Sequence, residues 1–319
     1  MTRLRCAILD DYFKLSLTSA DWSKVTDRVD LTVFVKPFTS QEEAAAALKE
    51  FEIILAMRER TAFPRSLFAA LPNLKLMITA GMRNAAIDFE AAKAHNVVLC
   101  GTTFARDPTA PLTMGLILEL TRNIGRENAR MHAGVPWQSL LGIEIEGRTL
   151  GVIGLGKLGT KVAKLGQAFG MNVIAWSPNL TPEKCKEAGV TYASKEDLFK
   201  TADVITIHVV LSQRSRGLVG AEDLARMKPS AYIVNTARGP IIDEAALLDV
   251  LQKKKIAGAG IDVFSVEPLP VDHPFRKLDN MVITPHLGYA TEENFRGHYT
   301  QMVEAIDAWF KGDPPRRLA

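Results

Sequence analysis

The stretch TLGVIGLGKLG, residues 149–159, decides the fold. It runs from an apolar strand into a turn with the spacing GxGxxG, and a helical pattern follows with Leu158, Val162, Leu165 and Phe169 on one face and Gly170 as its stop. Each glycine has a physical task. Gly154 permits the tight turn, Gly156 lets backbone N–H groups approach a pyrophosphate, and Gly159 allows the helix to pack closely on the strand. Lys157 and Leu158 then sit in the first helical turn, whose N–H groups face the anion. Alone, the spacing also suits a glycine-rich turn between buried elements. The strand, the helix and a second strand at 172–176 together select a dinucleotide-binding reading.

An acid that grips the adenosine ribose is expected at the end of that second strand. Ser177 stands there, followed by Pro178, Asn179, Leu180 and Thr181. Without a carboxylate, nothing repels a 2′-phosphate. Two readings stand: Ser177, Asn179 and Thr181 bind the phosphate of NADP(H) with Lys184 as counter-charge, or the turn is merely polar and accepts either NAD(P) form.

Outward from the motif, short apolar runs alternate with helical stretches, which implies parallel sheets covered on both faces. One series runs from Leu4 to Cys100 and a second from Thr149 through 204–209, 231–235, 258–263 and 281–284. Between them, Pro108, Pro111 and Pro136 bracket a helical pattern over about 113–131, where the chain crosses between domains. A last helix opens at Thr291, with Phe295, Tyr299, Met302, Ile306 and Phe310 at helical spacing. Returning it to the first domain would cover its apolar face. The expected architecture is α/β: two Rossmann-like, doubly wound parallel-sheet domains with an active-site cleft between them. A flavodoxin-like substrate domain spans 1–104 plus 290–319, and an NAD(P)-binding Rossmann domain spans 105–289.

Composition narrows the classes. A net charge of +3, with Lys253-Lys254-Lys255 as the one short basic run, gives nucleic-acid binding little support. No signal peptide and no apolar run of membrane-spanning length is readable, so no membrane partner is expected. Cys6, Cys100 and Cys185 lie far apart and form no metal or disulfide pattern, which favours a reducing, cytoplasmic setting.

Three loops after strands of the second series carry candidate chemistry: Thr236-Ala237-Arg238, Glu267-Pro268 and Pro285-His286-Leu287-Gly288. Open α/β sheets bind ligands at the carboxyl ends of their strands. Oxidising a secondary alcohol by hydride transfer requires removal of its hydroxyl proton, a task suited to His286. Glu267 beside the imidazole would orient it and favour the imidazolium. Arg238 would hold a carboxylate and polarise the C2 oxygen. Singly, each residue also reads as a surface charge, a turn or a satisfied polar group; their shared position beside a dinucleotide motif lifts all three.

GLGKLG, TARGPIIDE, GAGIDVFSVEPLP and TPHLGYAT, in this order, resemble the D-isomer-specific 2-hydroxyacid dehydrogenase family over essentially the whole chain. The resemblance implies a small 2-oxo or 2-hydroxy acid as substrate and a homodimer built on the cofactor domains. Arg238, Glu267 and His286 would be the substrate-binding arginine, the acid and the base. It also implies that Asp262 holds the nicotinamide carboxamide, that Thr236, Ala237, His208, Val209 and Gly288 contact the cofactor, and that a loop at Gly81, Met82 and Arg83 receives the substrate carboxylate. Arg58 is expected beside it; Arg83 reads equally as a solvent-facing charge. Pro111 departs from the glutamate of many members. The alternatives are a dinucleotide-sensing protein similar to corepressors of this fold, against which the absence of a long polar tail after Ala319 is set, and an enzyme resembling phosphite dehydrogenase. The length argues against the regulatory domain of many phosphoglycerate dehydrogenases.

Overall fold

The computed structural model describes residues 2–103 and 107–319. The chain forms two compact units, Met1–Arg106 with Thr291–Ala319, and Asp107–Ala290. The domain change expected at 104/105 lies outside the described residues. No helix among the described residues is long and apolar enough to cross a membrane.

In the first unit, β1 (Leu4–Ile8), β2 (Val29–Val33), β3 (Ile53–Ala56), β4 (Leu76–Thr79) and β5 (Val98–Gly101) form one parallel sheet in the order β2-β1-β3-β4-β5. β3 and β4 are buried along their whole length, as short apolar runs in a sheet covered on both faces must be. The order reverses between β1 and β3, the kind of switch point where such sheets open a crevice. Asp10 and Arg58, just beyond these two strands, both take left-handed backbone conformations, φ 58° and 55°. The helix Glu292–Phe310 belongs to this unit, opened by Thr291, whose hydroxyl accepts from Asn294 N–H. Phe295, Tyr299, Met302 and Ile306 are buried, and Trp22 lies against Tyr299. Beyond it the chain runs back along β5, where Leu318 N–H donates to Leu99 O (2.7 Å) and Gly101 N–H to Arg316 O (2.9 Å), covering an otherwise open sheet edge.

The second unit holds β6 (Thr149–Ile153), β7 (Asn172–Trp176), β8 (Thr191–Tyr192), β9 (Val204–Ile207), β10 (Tyr232–Asn235), β11 (Gly258–Ile261) and β12 (Met281–Ile283). All pair in parallel, in the order β12-β11-β10-β9-β6-β7-β8, with the reversal between β6 and β9. Apolar clusters built on Ile153, Phe199, Ile233 and Phe264, and on Ile117, Val152, Val162 and Val234, fill its interior.

Two local expectations are corrected. The helix expected over 113–131 is two helices, Thr109–Arg122 and Ile124–His132, broken at Asn123, which adopts φ 53°. Asparagine tolerates this conformation better than most residues. The first helix begins before Pro111, which lies exposed in its first turn, where no backbone donor is needed. Phe169 is not on the buried face of the motif helix: the helix ends at Ala168 and Phe169 is 42% exposed.

Candidate active site

The glycine motif lies at the switch point of the second sheet. Gly154 follows β6 with φ 99°, its N–H donating to Trp176 O. His208 N–H donates to Ile153 O, so the ends of β6 and β9 are fastened to each other. The helix Lys157–Ala168 starts at Gly156 with no side-chain cap. A Cβ on Gly159 would fall 1.9 Å from Gly154 O, whereas a Cβ on Gly156 would meet nothing within 4 Å. Gly159 is thus demanded by the fold, whereas the fold leaves the space at Gly156 open. Uncapped helical N–H groups beside an open glycine fit a pyrophosphate. Lys157 turns its side chain to Asp107 (3.2 Å), so what it offers an anion is its backbone N–H.

Beyond β9, His208 binds Thr206 Oγ1 through Nε2 (2.9 Å), while its Nδ1 is shut off from solvent without a partner. Burial pushes this imidazole down to about 3, so it is neutral. Val209 lies against Gly154. Beyond β7, the turn at Ser177 closes through Leu180 N–H to Ser177 O (3.0 Å). The Thr181 hydroxyl is occupied in capping the helix Pro182–Glu187. Asn179 instead meets Arg214, from the loop after β9, at 3.4 Å.

The loops after β10, β11 and β12, three neighbouring strands, bring the chemistry together. His286 Nδ1 meets Glu267 Oε2 at 2.7 Å. Glu267 Oε1 accepts from Phe264 N–H at 2.8 Å, so both carboxylate oxygens are directed. Burial pushes the Glu267 carboxyl up, but the hydrogen bond and charge of His286, the Phe264 N–H and the Arg238 charge outweigh it and hold it below its ordinary range. With Nδ1 engaged, Nε2 is the nitrogen left to exchange a proton. Arg238 is partly buried, and its guanidinium donates to Ala237 O. Asn235 shapes that loop by accepting from Ala237 N–H and donating to Arg238 O. Gly239 passes so close to the β11 loop that a Cβ would fall 2.1 Å from Phe264 C. The Thr236 hydroxyl pairs with Thr113 at 2.9 Å.

Asp262 organises the loop that carries His286. It is fully buried, and its carboxylate accepts from the Thr284 hydroxyl (2.6 Å), Leu287 N–H (2.7 Å) and Gly288 N–H (2.8 Å). Its backbone oxygen takes the N–H of His286, which sits at φ 54°. Burial raises the Asp262 carboxyl, against the pull of these donors. Its visible work is to shape the His286 loop. Sequence reasoning missed a second brace: Glu244 accepts from Ser265 N–H (3.2 Å) and meets His273 Nε2 (3.2 Å). His273 Nδ1 accepts from Phe275 N–H, which makes Nε2 the protonated nitrogen facing Glu244. Both residues stand in or beside the quoted motifs, but only the folded chain relates them to the Glu267 loop. Among the described residues, no three His, Cys, Asp or Glu side chains form a metal-holding group.

In the first unit, the expected substrate loop follows β4. Gly81 takes φ 97°, with its N–H donated to Thr102 Oγ1 (2.9 Å). Met82 and Arg83 are exposed. Arg58 is only 9% exposed; its guanidinium donates to Ala80 O and pairs with Glu59. It lies against the loop from within, and a Cβ on Gly81 would reach 2.2 Å from its Nη1.

The sequence pattern of the D-isomer specific 2-hydroxyacid dehydrogenase NAD-binding domain matches residues 114–288. The chain belongs to this family. It is 40% identical over 259 residues to a hydroxypyruvate reductase of Thermotoga maritima, covering 79% of this chain and 83% of that protein. It is 39% identical over 278 residues to a D-3-phosphoglycerate dehydrogenase of Methanocaldococcus jannaschii, covering 86% of this chain and 52% of the relative. The chain thus spans about half the length of the phosphoglycerate dehydrogenases it matches. A crystal structure of a phosphoglycerate oxidoreductase from Vibrio cholerae o395 superposes with a TM-score of 0.92 at 32% identity, over 97% of this chain and 99% of that one. The two parallel sheets are the fold expected of the family.

Proposed function

We propose that this chain interconverts a small 2-oxo acid and the corresponding D-2-hydroxy acid, with His286 as acid and base. The observation that carries the reading is the 2.7 Å pairing of His286 Nδ1 with Glu267 at the carboxyl edge of a sheet that also bears an open GxGxxG turn. Gly154, Gly156, Lys157, Leu158 and Gly159 would hold the dinucleotide pyrophosphate, with His208, Val209, Thr236, Ala237 and Gly288 along the strand ends. When bound, the nicotinamide supplies or accepts the hydride at C2.

In reduction, protonated His286 donates from Nε2 to the C2 oxygen; in oxidation the neutral ring removes that proton. Glu267 keeps the ring oriented and offsets its positive charge. Arg238 engages the substrate carboxylate and the C2 oxygen, supplying positive charge where negative charge develops. In the first unit's loop the Gly81 N–H is committed to Thr102, which leaves Met82 and Arg83 as its exposed residues.

Hydroxypyruvate and glyoxylate are the first substrates to try, from the names of the relatives. NADP(H) is admitted beside NAD(H) in this reading, because Ser177 replaces the acid that would repel a 2′-phosphate. A homodimer is supported by the helix Ile124–His132, which buries none of its residues, and by the exposed Trp137 and Leu141 beyond it. Three buried, unpaired cysteines suit a reducing, cytoplasmic setting.

The test is a screen of glyoxylate, hydroxypyruvate and phenylpyruvate against NADH and NADPH. Oxidation of either dinucleotide with a 2-oxo acid is expected. Tight dinucleotide binding with no turnover on any of them would refute the enzyme reading in favour of a sensing role.

A further inference from the structure

We propose that Arg214 is the residue that selects NADP(H), receiving the 2′-phosphate together with Ser177 and Asn179. The inference rests on the dinucleotide reading above and names the side chain that turns tolerance of a 2′-phosphate into preference for it.

The absence of an acid at Ser177 removes a repulsion but supplies no attraction. Preference needs a cation, and the local sequence offers Lys184 with Thr181 as a hydroxyl partner. The structure engages the hydroxyl elsewhere: Thr181 Oγ1 accepts from the backbone N–H of Lys184 as the cap of the helix Pro182–Glu187, in which Lys184 stands. The nearby carboxylate, Glu183, is folded back on the Thr181 hydroxyl and its own N–H, which hold it low and charged. A helix start so arranged is not a phosphate ligand set.

Arg214 reaches the same turn from another loop. Its Nη2 donates to Asn179 Oδ1 at 3.4 Å, across a sequence separation of 35 residues. Among the described residues it has no carboxylate partner, so a guanidinium with five donors rests on one neutral amide by a long bond. The loop that carries it is firmly built. Ser215, buried, donates to Val210 O (2.7 Å) and accepts from Ser212 N–H (2.7 Å), and Gly217 N–H donates to Pro240 O (2.9 Å). A rigid base therefore presents an exposed, uncompensated cation to the Ser177–Asn179 turn, at the end of the strand where the adenosine ribose is read. A planar fork matches a phosphate in a way a flexible ammonium does not.

The test is calorimetric titration of the full chain with NADPH, NADH and adenosine 2′,5′-bisphosphate, on wild type, Arg214→Ala, Arg214→Lys and Ser177→Asp. Wild type is expected to bind NADPH at least about tenfold more tightly than NADH. Arg214→Ala should lose that factor for NADPH and the bisphosphate while NADH stays within about twofold, with the melting temperature unchanged because the side chain is exposed. Arg214→Lys should fall between, and Ser177→Asp should reverse the order. Equal weakening of NADH and NADPH by Arg214→Ala, or no NADPH preference in wild type, overturns the assignment of Arg214 while leaving the dinucleotide reading intact. Binding of neither dinucleotide to wild type refutes both.

Discussion

Replacing Gly156 and Gly159 by alanine, one at a time, should separate what the glycine motif does for the fold from what it does for the ligand. At Gly159 the added Cβ would lie 1.9 Å from Gly154 O, a backbone atom fixed by the β6 turn. To reach ordinary contact the helix Lys157–Ala168 must retreat by more than about 1 Å, and overpacking of this kind costs about 1–3 kcal/mol. In a unit of this size that is a fall of roughly 2–4 °C in melting temperature per kcal/mol. At Gly156 the Cβ meets nothing, and the residue's φ of −82° and ψ of −164° are open to alanine. Its stability should therefore change by less than about 1 kcal/mol. The ligand's view is different, because the methyl group projects where a pyrophosphate must approach the N–H groups. NADH and NADPH affinity should drop at least about tenfold, or about 1.4 kcal/mol. Differential scanning fluorimetry without ligand and fluorescence titration with each dinucleotide measure both quantities. If Gly156→Ala binds either dinucleotide as wild type does, or Gly159→Ala melts unchanged, the division of labour argued here is wrong.

Other consequences are as direct. His286→Ala should lower kcat by about 10²–10⁴-fold while dinucleotide affinity is kept, and near-normal turnover in steady-state assays would defeat the acid–base assignment. Glu244→Ala, which strips Ser265 N–H and His273 of their acceptor, should reduce kcat/KM by about tenfold through the Glu267 loop, with His273→Gln closer to wild type; equal kcat/KM in wild type and Glu244→Ala would dismiss the brace. Two histidines set an acid limit on stability. Burial pushes His208 down to about 3, and burial together with the charge of Arg58 pushes His298 down to about 4. Unfolded, both would take protons near 6.5, so the folded chain binds fewer protons below that pH. Stability is fully present above about 6.5 and is lost as pH falls toward 4 for His298 and 3 for His208, at about 1.4 kcal/mol per pH unit for each. Melting curves between pH 7 and 5, above most carboxylate titration, should show it; a flat profile would contradict the burial argument.

Much of this was readable beforehand because its causes are local. Strand-length apolar runs, a glycine spacing and polar residues just past strand ends require no knowledge of the partner element, and the loops of Arg238, Glu267 and His286 are found by that rule. What escaped notice depends on residues distant in the chain. The burial of Arg58 follows from Ala80 and Glu59, and the commitment of the Gly81 N–H from Thr102. Arg214 is invisible from Ser177 because a separate loop delivers it. The break at Asn123 was missed for another reason: apolar spacing continues through it, and only the backbone preference of one residue divides the helix.

Asp262 has a consequence for how the protein can change. It ties Thr284, Leu287, Gly288 and the backbone of His286 to the end of β11, holding His286 in a left-handed conformation that few histidines adopt. The freedom of the loop that carries the imidazole is surrendered once, during folding, rather than at every turnover. In the proposed role of acid and base, His286 so held cannot follow a substrate. Variation in substrate size has to be absorbed by residues other than His286, and damage to Asp262 should register as impaired folding and impaired catalysis together.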